Sequence, residues 1–140
     1  MSLADLDART LSLLLARGRI VVGLTATLLP RLAAAVAPGG HGSEVRALAR
    51  MTGVRDLALG LGALTCVKEG TQDAEWVGIG GAVDVVDGVT LLLTRGLPGR
   101  ARLVGLIALS AGIAGIACAR ALADERAELA RAHANGDAAA

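Results

Sequence analysis

Residues 80–93 read GGAVDVVDGVTLLL, an apolar run without aromatic or basic residues that still carries Asp84 and Asp87. Carboxylates at i, i+3 spacing share one helix face. Such a pair can hold a proton, accept an arginine fork, or contribute to a cation site. Two carboxylates without a third ligand are weak evidence for a metal, so no metal is expected. Ser/His/Asp sets, nucleophile elbows and phosphate loops are missing, and GIGG at 78–81 is an incomplete dinucleotide fingerprint with no strand before it. The residues imply no catalysis and no cofactor.

The carboxylates matter because of where the run lies. Of 140 residues, 54% are apolar and 19% charged, and mean hydropathy is +0.58. The apolar set is Ala, Leu, Val and Gly, with one Trp and neither Phe nor Tyr. A soluble core normally gains much of its buried area from aromatics. Small residues suit transmembrane helices, whose backbones approach closely. Net charge is +1, without a basic stripe or stacking platform, so nucleic acid is not an expected partner. Cys66 and Cys118 each lie in an apolar run and read as small packing residues.

Four apolar segments, at about 16–37, 51–67, 76–94 and 103–119, fall in or near the length that crosses a bilayer, roughly 17–25 residues. Gly/Pro-rich or polar connectors separate them. A soluble bundle is disfavoured because the last two segments lack a polar face. AVA at 35–37 resembles a signal cleavage site, but Arg31 interrupts the preceding apolar region and Pro38 follows, so cleavage is not expected. The expected fold is all-α: an integral membrane four-helix bundle over residues 1–122, then a charged helical extension over 123–140 that frays from about residue 135. Lys and Arg divide almost evenly between the two faces, so orientation is open. A charged tail that need not cross favours cytoplasmic termini.

Depth along antiparallel spans then groups the charges. At about 1.5 Å per residue, Arg55 lies about 6 Å inside Met51, Asp87 about 10 Å inside Thr94, and Arg31 about 9 Å inside residue 37. Arg31, Arg55, Asp56 and Asp87 therefore share one layer. A charge near the bilayer centre costs about 2.5–3.5 kcal/mol on insertion scales, so pairing is expected, as a network that pins the first three spans. Asp84 lies near mid-membrane without a cation assigned to its level. It is expected to be a neutral acid that donates a hydrogen bond to Thr65 or Ser110. Close helix packing is expected at Gly60 and Gly62, and at the four-residue spacings Gly78/Ala82 and Ala111/Gly115.

Arg19 and Gly23, then Pro30, then G-V-R-D-L-A-L-G at 53–60, then D-x-x-D at 84–87, together resemble a group of small bacterial four-span membrane proteins distantly like the DoxX-type families. The resemblance covers most of residues 15–122. It implies a four-helix fold of the bacterial inner membrane and brings no established activity or cofactor. The acidic loop 68–75 and the charged tail depart from it, and are where a specific partner is expected. Two functions follow. The first is a non-enzymatic membrane scaffold or accessory subunit, in a homo-oligomer or a larger complex, organised by an intramembrane Arg/Asp network. The alternative is a small oligomeric proton- or cation-coupled carrier or channel that uses Asp84 and Asp87.

Overall fold

A computed structural model describes residues 7–36 and 42–137. All its regular elements are helices: α1 (Ala8–Leu28), α2 (Pro30–Val36), α3 (Ser43–Glu69), α4 (Asp73–Leu93) and α5 (Gly99–Asp137). The first span's end at residue 37, most of the connector after it, and the last three residues expected to fray lie outside the described residues.

α1 starts earlier than its apolar run because Asp7 caps it, its carboxylate accepting the Thr10 N–H at 2.6 Å. Arg9 thus sits within the helix rather than flanking it, and Arg17 and Arg19 lie well inside it rather than at its edge. α1 also ends earlier than expected. Pro30 has no N–H and disfavours helical geometry at Leu29, which adopts φ −120°, ψ 56°. Pro30 then opens α2, where a missing N–H is harmless. α3 stops at Gly70, whose φ of +69° is the left-handed geometry of a helix end. At the start of α4, Asp73 and Glu75 complement the positive end of the helix dipole.

The long helices form two antiparallel hairpins, α1–α3 and α4–α5, each closed by small residues spaced seven apart. Ala16 and Gly23 meet Gly53 and Gly60 in the first hairpin. Gly81 and Gly88 meet Gly105 and Gly112 in the second. A methyl group on Gly23 would stand 2.7 Å from the Gly53 carbonyl oxygen, and one on Gly112 would stand 2.7 Å from the Gly81 oxygen. Two turns at about 3.5 residues per turn give a left-handed crossing.

All four long helices meet in one core beside the α3–α4 turn, built from Ala16, Ala63, Val67, Val77, Cys118 and Leu122. Toward the opposite end, burial is pairwise within each hairpin. The hairpins leave a cleft of about 890 Å³ between them.

By length and composition, α1, α4 and α5 are able to cross a membrane. α3 is not among these, because its apolar stretch lies between Arg50 and Lys68 and contains Arg55 and Asp56. Large apolar side chains face outward, Leu93 at 75% and Leu28 at 70% exposure. α5, at 39 residues, is about 58 Å long and so overshoots a hydrocarbon core of about 30 Å. The charged tail is thus the continuation of a membrane-capable helix.

Candidate functional site

The charged residues gather where α1, α3 and α4 face one another. The earlier start of α1 decides which ones meet. Arg19 lies eleven residues into α1 and Asp84 eleven residues into α4, two helices running in the same direction. Both therefore sit about 16 Å along their axes. Arg19 Nη2 donates to Asp84 Oδ2 at 2.5 Å and to the Gly80 carbonyl at 2.8 Å. Gly80 leaves room for this approach, since a methyl there would stand 3.1 Å from Arg19 Nη2.

Arg55 completes the network. Its Nη2 donates to Asp87 Oδ2 at 2.5 Å and its Nη1 to Asp87 Oδ1 at 3.2 Å, the two-point geometry a planar guanidinium favours. It also donates to Asp56, from Nη2 at 3.0 Å and from Nε at 3.2 Å. Asp56 lies 3.7 Å from Arg19 Nη1, which is too long for a hydrogen bond. Arg19 Nη1 is buried and makes no hydrogen bond. Two guanidinium groups thus serve three carboxylates, with Asp56 shared between them.

Arg55, Asp56, Asp84 and Asp87 come together as the sequence suggests, but Arg31 does not join them. It is exposed on α2, beyond the break at Leu29, and among the described residues nothing ties it to the network. Its place is taken by Arg19, which the sequence reading had left outside the membrane layer. Asp84 is correspondingly not a solitary acid. Ser110 donates to its own helix at the Leu106 carbonyl (2.8 Å), and Thr65 is exposed, so neither serves Asp84.

The packing residues divide similarly. Gly60 approaches the Ala16 carbonyl, Gly62 lies against the Trp76 ring, Gly78 faces Ala119, and Gly115 lies beside Gly81. Ala82 is exposed and Ala111 lines the cleft, so neither closes a helix pair. Gly60 and Gly62 are among the tightest approaches, as expected, and Gly23, Gly53, Gly81, Gly88, Gly105 and Gly112 add comparably close ones that were not expected to pack. A search for seven-residue as well as four-residue spacing would have found most of them.

A second cluster closes the opposite end. Arg126 of α5 pairs with buried Asp73, reaches Glu75 Oε2 at 3.4 Å, and donates to the Gly70 carbonyl at 3.3 Å. Arg9 donates to the Val67 carbonyl at 2.5 Å. The acidic loop and the charged tail are therefore partners of each other.

No protein-family model, curated protein or solved structure matches the chain.

Proposed function

We propose that the chain is a multi-pass protein of the bacterial inner membrane, a non-enzymatic scaffold or accessory subunit whose Arg/Asp network holds two helix hairpins in one arrangement. α1, α4 and α5 supply three spans. α3 makes the fourth, because its glycines seat it against α1 along most of its length and its two mid-helix charges find partners inside. Termini on the cytoplasmic side keep the charged end of α5 out of the bilayer. Partners are a second copy or the subunits of a larger membrane complex.

The observation that carries the scaffold reading is the pair of ion pairs Arg19–Asp84 and Arg55–Asp87. Both join the first hairpin to the second beside the cleft between them. Arg19–Asp84 is the more buried of the two, and buried ion pairs specify geometry more reliably than they add stability, which suits a framework. A second reading, a small proton- or cation-coupled carrier, is favoured by Asp84 and Asp87 lining the cleft.

Two experiments test this. Liposome flotation resistant to alkaline carbonate checks membrane insertion, and recovery in the soluble fraction would reject it. Native mass spectrometry of complexes extracted with surrounding lipid then checks assembly. A scaffold gives a stoichiometric assembly that survives Asp84→Asn and is lost in Arg19→Gln. A lone chain whose proton flux in liposomes vanishes with Asp84→Asn would reject the scaffold for the carrier.

A further inference from the structure

We propose that the cleft between the hairpins is a binding site for one lipophilic organic monocation, its charge at Asp84 and Asp87 and its hydrocarbon along the α1 and α5 walls. The assignment rests on the membrane placement proposed above, but not on transport.

Size selects the class of occupant. A cleft of about 890 Å³ lies within the roughly 300–1,000 Å³ typical of small-molecule sites. A small molecule fits.

Charge selects the sign. Arg19, Asp56, Asp84 and Asp87 line the cleft, with Arg55 behind Asp87. With all three carboxylates ionised, two cations leave one negative charge over, which the site offsets either by holding a proton or by taking up a cation. A monocation balances the set. An anion, such as a fatty acid, would double the imbalance. Asp56 is enclosed by the two arginines, whereas Asp84 and Asp87 keep 21% and 36% of their side-chain surface open, so these two receive the incoming charge.

The walls select hydrocarbon. On the α3–α4 side of the cleft Asp56 and Asp87 sit among apolar residues such as Leu59 and Leu91, and on the α1–α5 side Val22, Val104, Ile107 and Ala108 line it. Val22 is 57% and Ile107 62% exposed, so the apolar wall runs out to the rim and, in a bilayer, meets lipid. A hard metal ion, which wants roughly six oxygen ligands, would waste such walls. An alkyl or aryl ammonium or phosphonium uses both sides.

Trp76, the one tryptophan of the chain, lines the same cleft and reports on occupancy. The test uses the full chain in phosphatidylcholine nanodiscs at constant pH. Trp76 emission is followed during titration with tetraphenylphosphonium and, separately, with tetraphenylborate, a shape match of opposite charge. The expected result is a saturable response to the phosphonium at one equivalent per chain and none to the borate.

Asp87→Asn should weaken phosphonium binding roughly tenfold or more, allowing for the partial exposure of Asp87. This variant leaves Arg19–Asp84 intact and balances the remaining charges, so it should fold. Ala108→Leu, which narrows the cleft without changing charge, should weaken binding as well. Saturation by both ions alike, or unaltered affinity in Asp87→Asn, would overturn the assignment. Failure of the membrane placement itself would appear separately, as loss of flotation.

Discussion

Two single substitutions within one ion pair should differ sharply in cost. Arg19→Gln removes the partner of Asp84 and leaves Arg55 alone against three carboxylates. Arg19 and Asp84 side chains are 12% and 21% exposed, so solvent screens the loss only weakly. Removing one member of a buried pair costs about 3–5 kcal/mol. Loss of the Gly80 carbonyl bond adds about 0.5–1.5 kcal/mol.

Asp84→Asn has the opposite effect on the ledger of charge, since two guanidinium groups then face two carboxylates. The amide oxygen still accepts from Arg19, and a charge-assisted bond is exchanged for a neutral-acceptor one at about 1 kcal/mol. The two variants should therefore differ by about 2.5–5.5 kcal/mol, roughly seventyfold to ten-thousandfold in the unfolding equilibrium. The assay is reversible unfolding in mixed micelles by titration with sodium dodecyl sulfate, followed by Trp76 emission and far-ultraviolet circular dichroism. If Asp84→Asn is as damaging as Arg19→Gln, the network is not short of positive charge and the reasoning fails.

Gly81→Ala places a methyl 2.8 Å from the Gly112 carbonyl oxygen, which forces the second hairpin apart at about 1–3 kcal/mol. Gly18→Ala, with nothing within 4 Å, should instead stabilise α1 by about 0.5–1 kcal/mol in the same unfolding assay. Arg126→Ala leaves Asp73, 3% exposed, without its cation, so amide exchange over residues 70–76 should quicken while exchange at the Gly81–Gly112 contact is unchanged. Asp7 is held below its ordinary value of 3.8 chiefly by the hydrogen bond from Thr10. Because the folded value is the lower one, the cap stabilises α1 above the unfolded value and is lost as pH falls through the folded one. The Thr10 amide should accordingly begin to exchange freely only in strong acid, and should do so at neutral pH in Asp7→Ala.

Helical class and membrane-capable length were legible because they rest on composition and run length, which need no tertiary knowledge. The Arg55–Asp87 pair was legible because both residues lie inside their runs and antiparallel depth brings them level. Arg19 was missed for a definite reason. A hydropathy reading starts a helix where the apolar residues start, whereas α1 starts a full two turns earlier, at the Asp7 cap. That shift brings Arg9 into the helix and puts Arg17 and Arg19 about two and a half to three turns inside it instead of at the edge of the expected span. Arg31 failed for the converse reason, since counting depth through Pro30 assumes a continuity that a proline removes. The pairing of the acidic loop with Arg126 depends on how far α5 runs before meeting the α3–α4 turn, and no local pattern encodes that length.

The small residues suggest why the charges sit where they do. Ala16, Gly23, Gly53 and Gly60 of the first hairpin correspond in spacing to Gly81, Gly88, Gly105 and Gly112 of the second, and the hairpins run in the same sense. In this register Arg19 and Asp84 occupy the same position, three residues past the first small residue, which puts opposite charges face to face between two similar units. The other charges break the correspondence. Asp56 matches Ala108, Arg55 matches Ile107, and Asp87 matches Val22, so each of these three has an apolar counterpart on the α1–α5 side. Neither a uniform ion-pair core nor a uniform apolar core results. One mostly apolar cleft results, with its charges confined to Arg19, Asp56, Asp84 and Asp87. The departure from symmetry is what turns the seam into a chamber suited to an amphipathic guest.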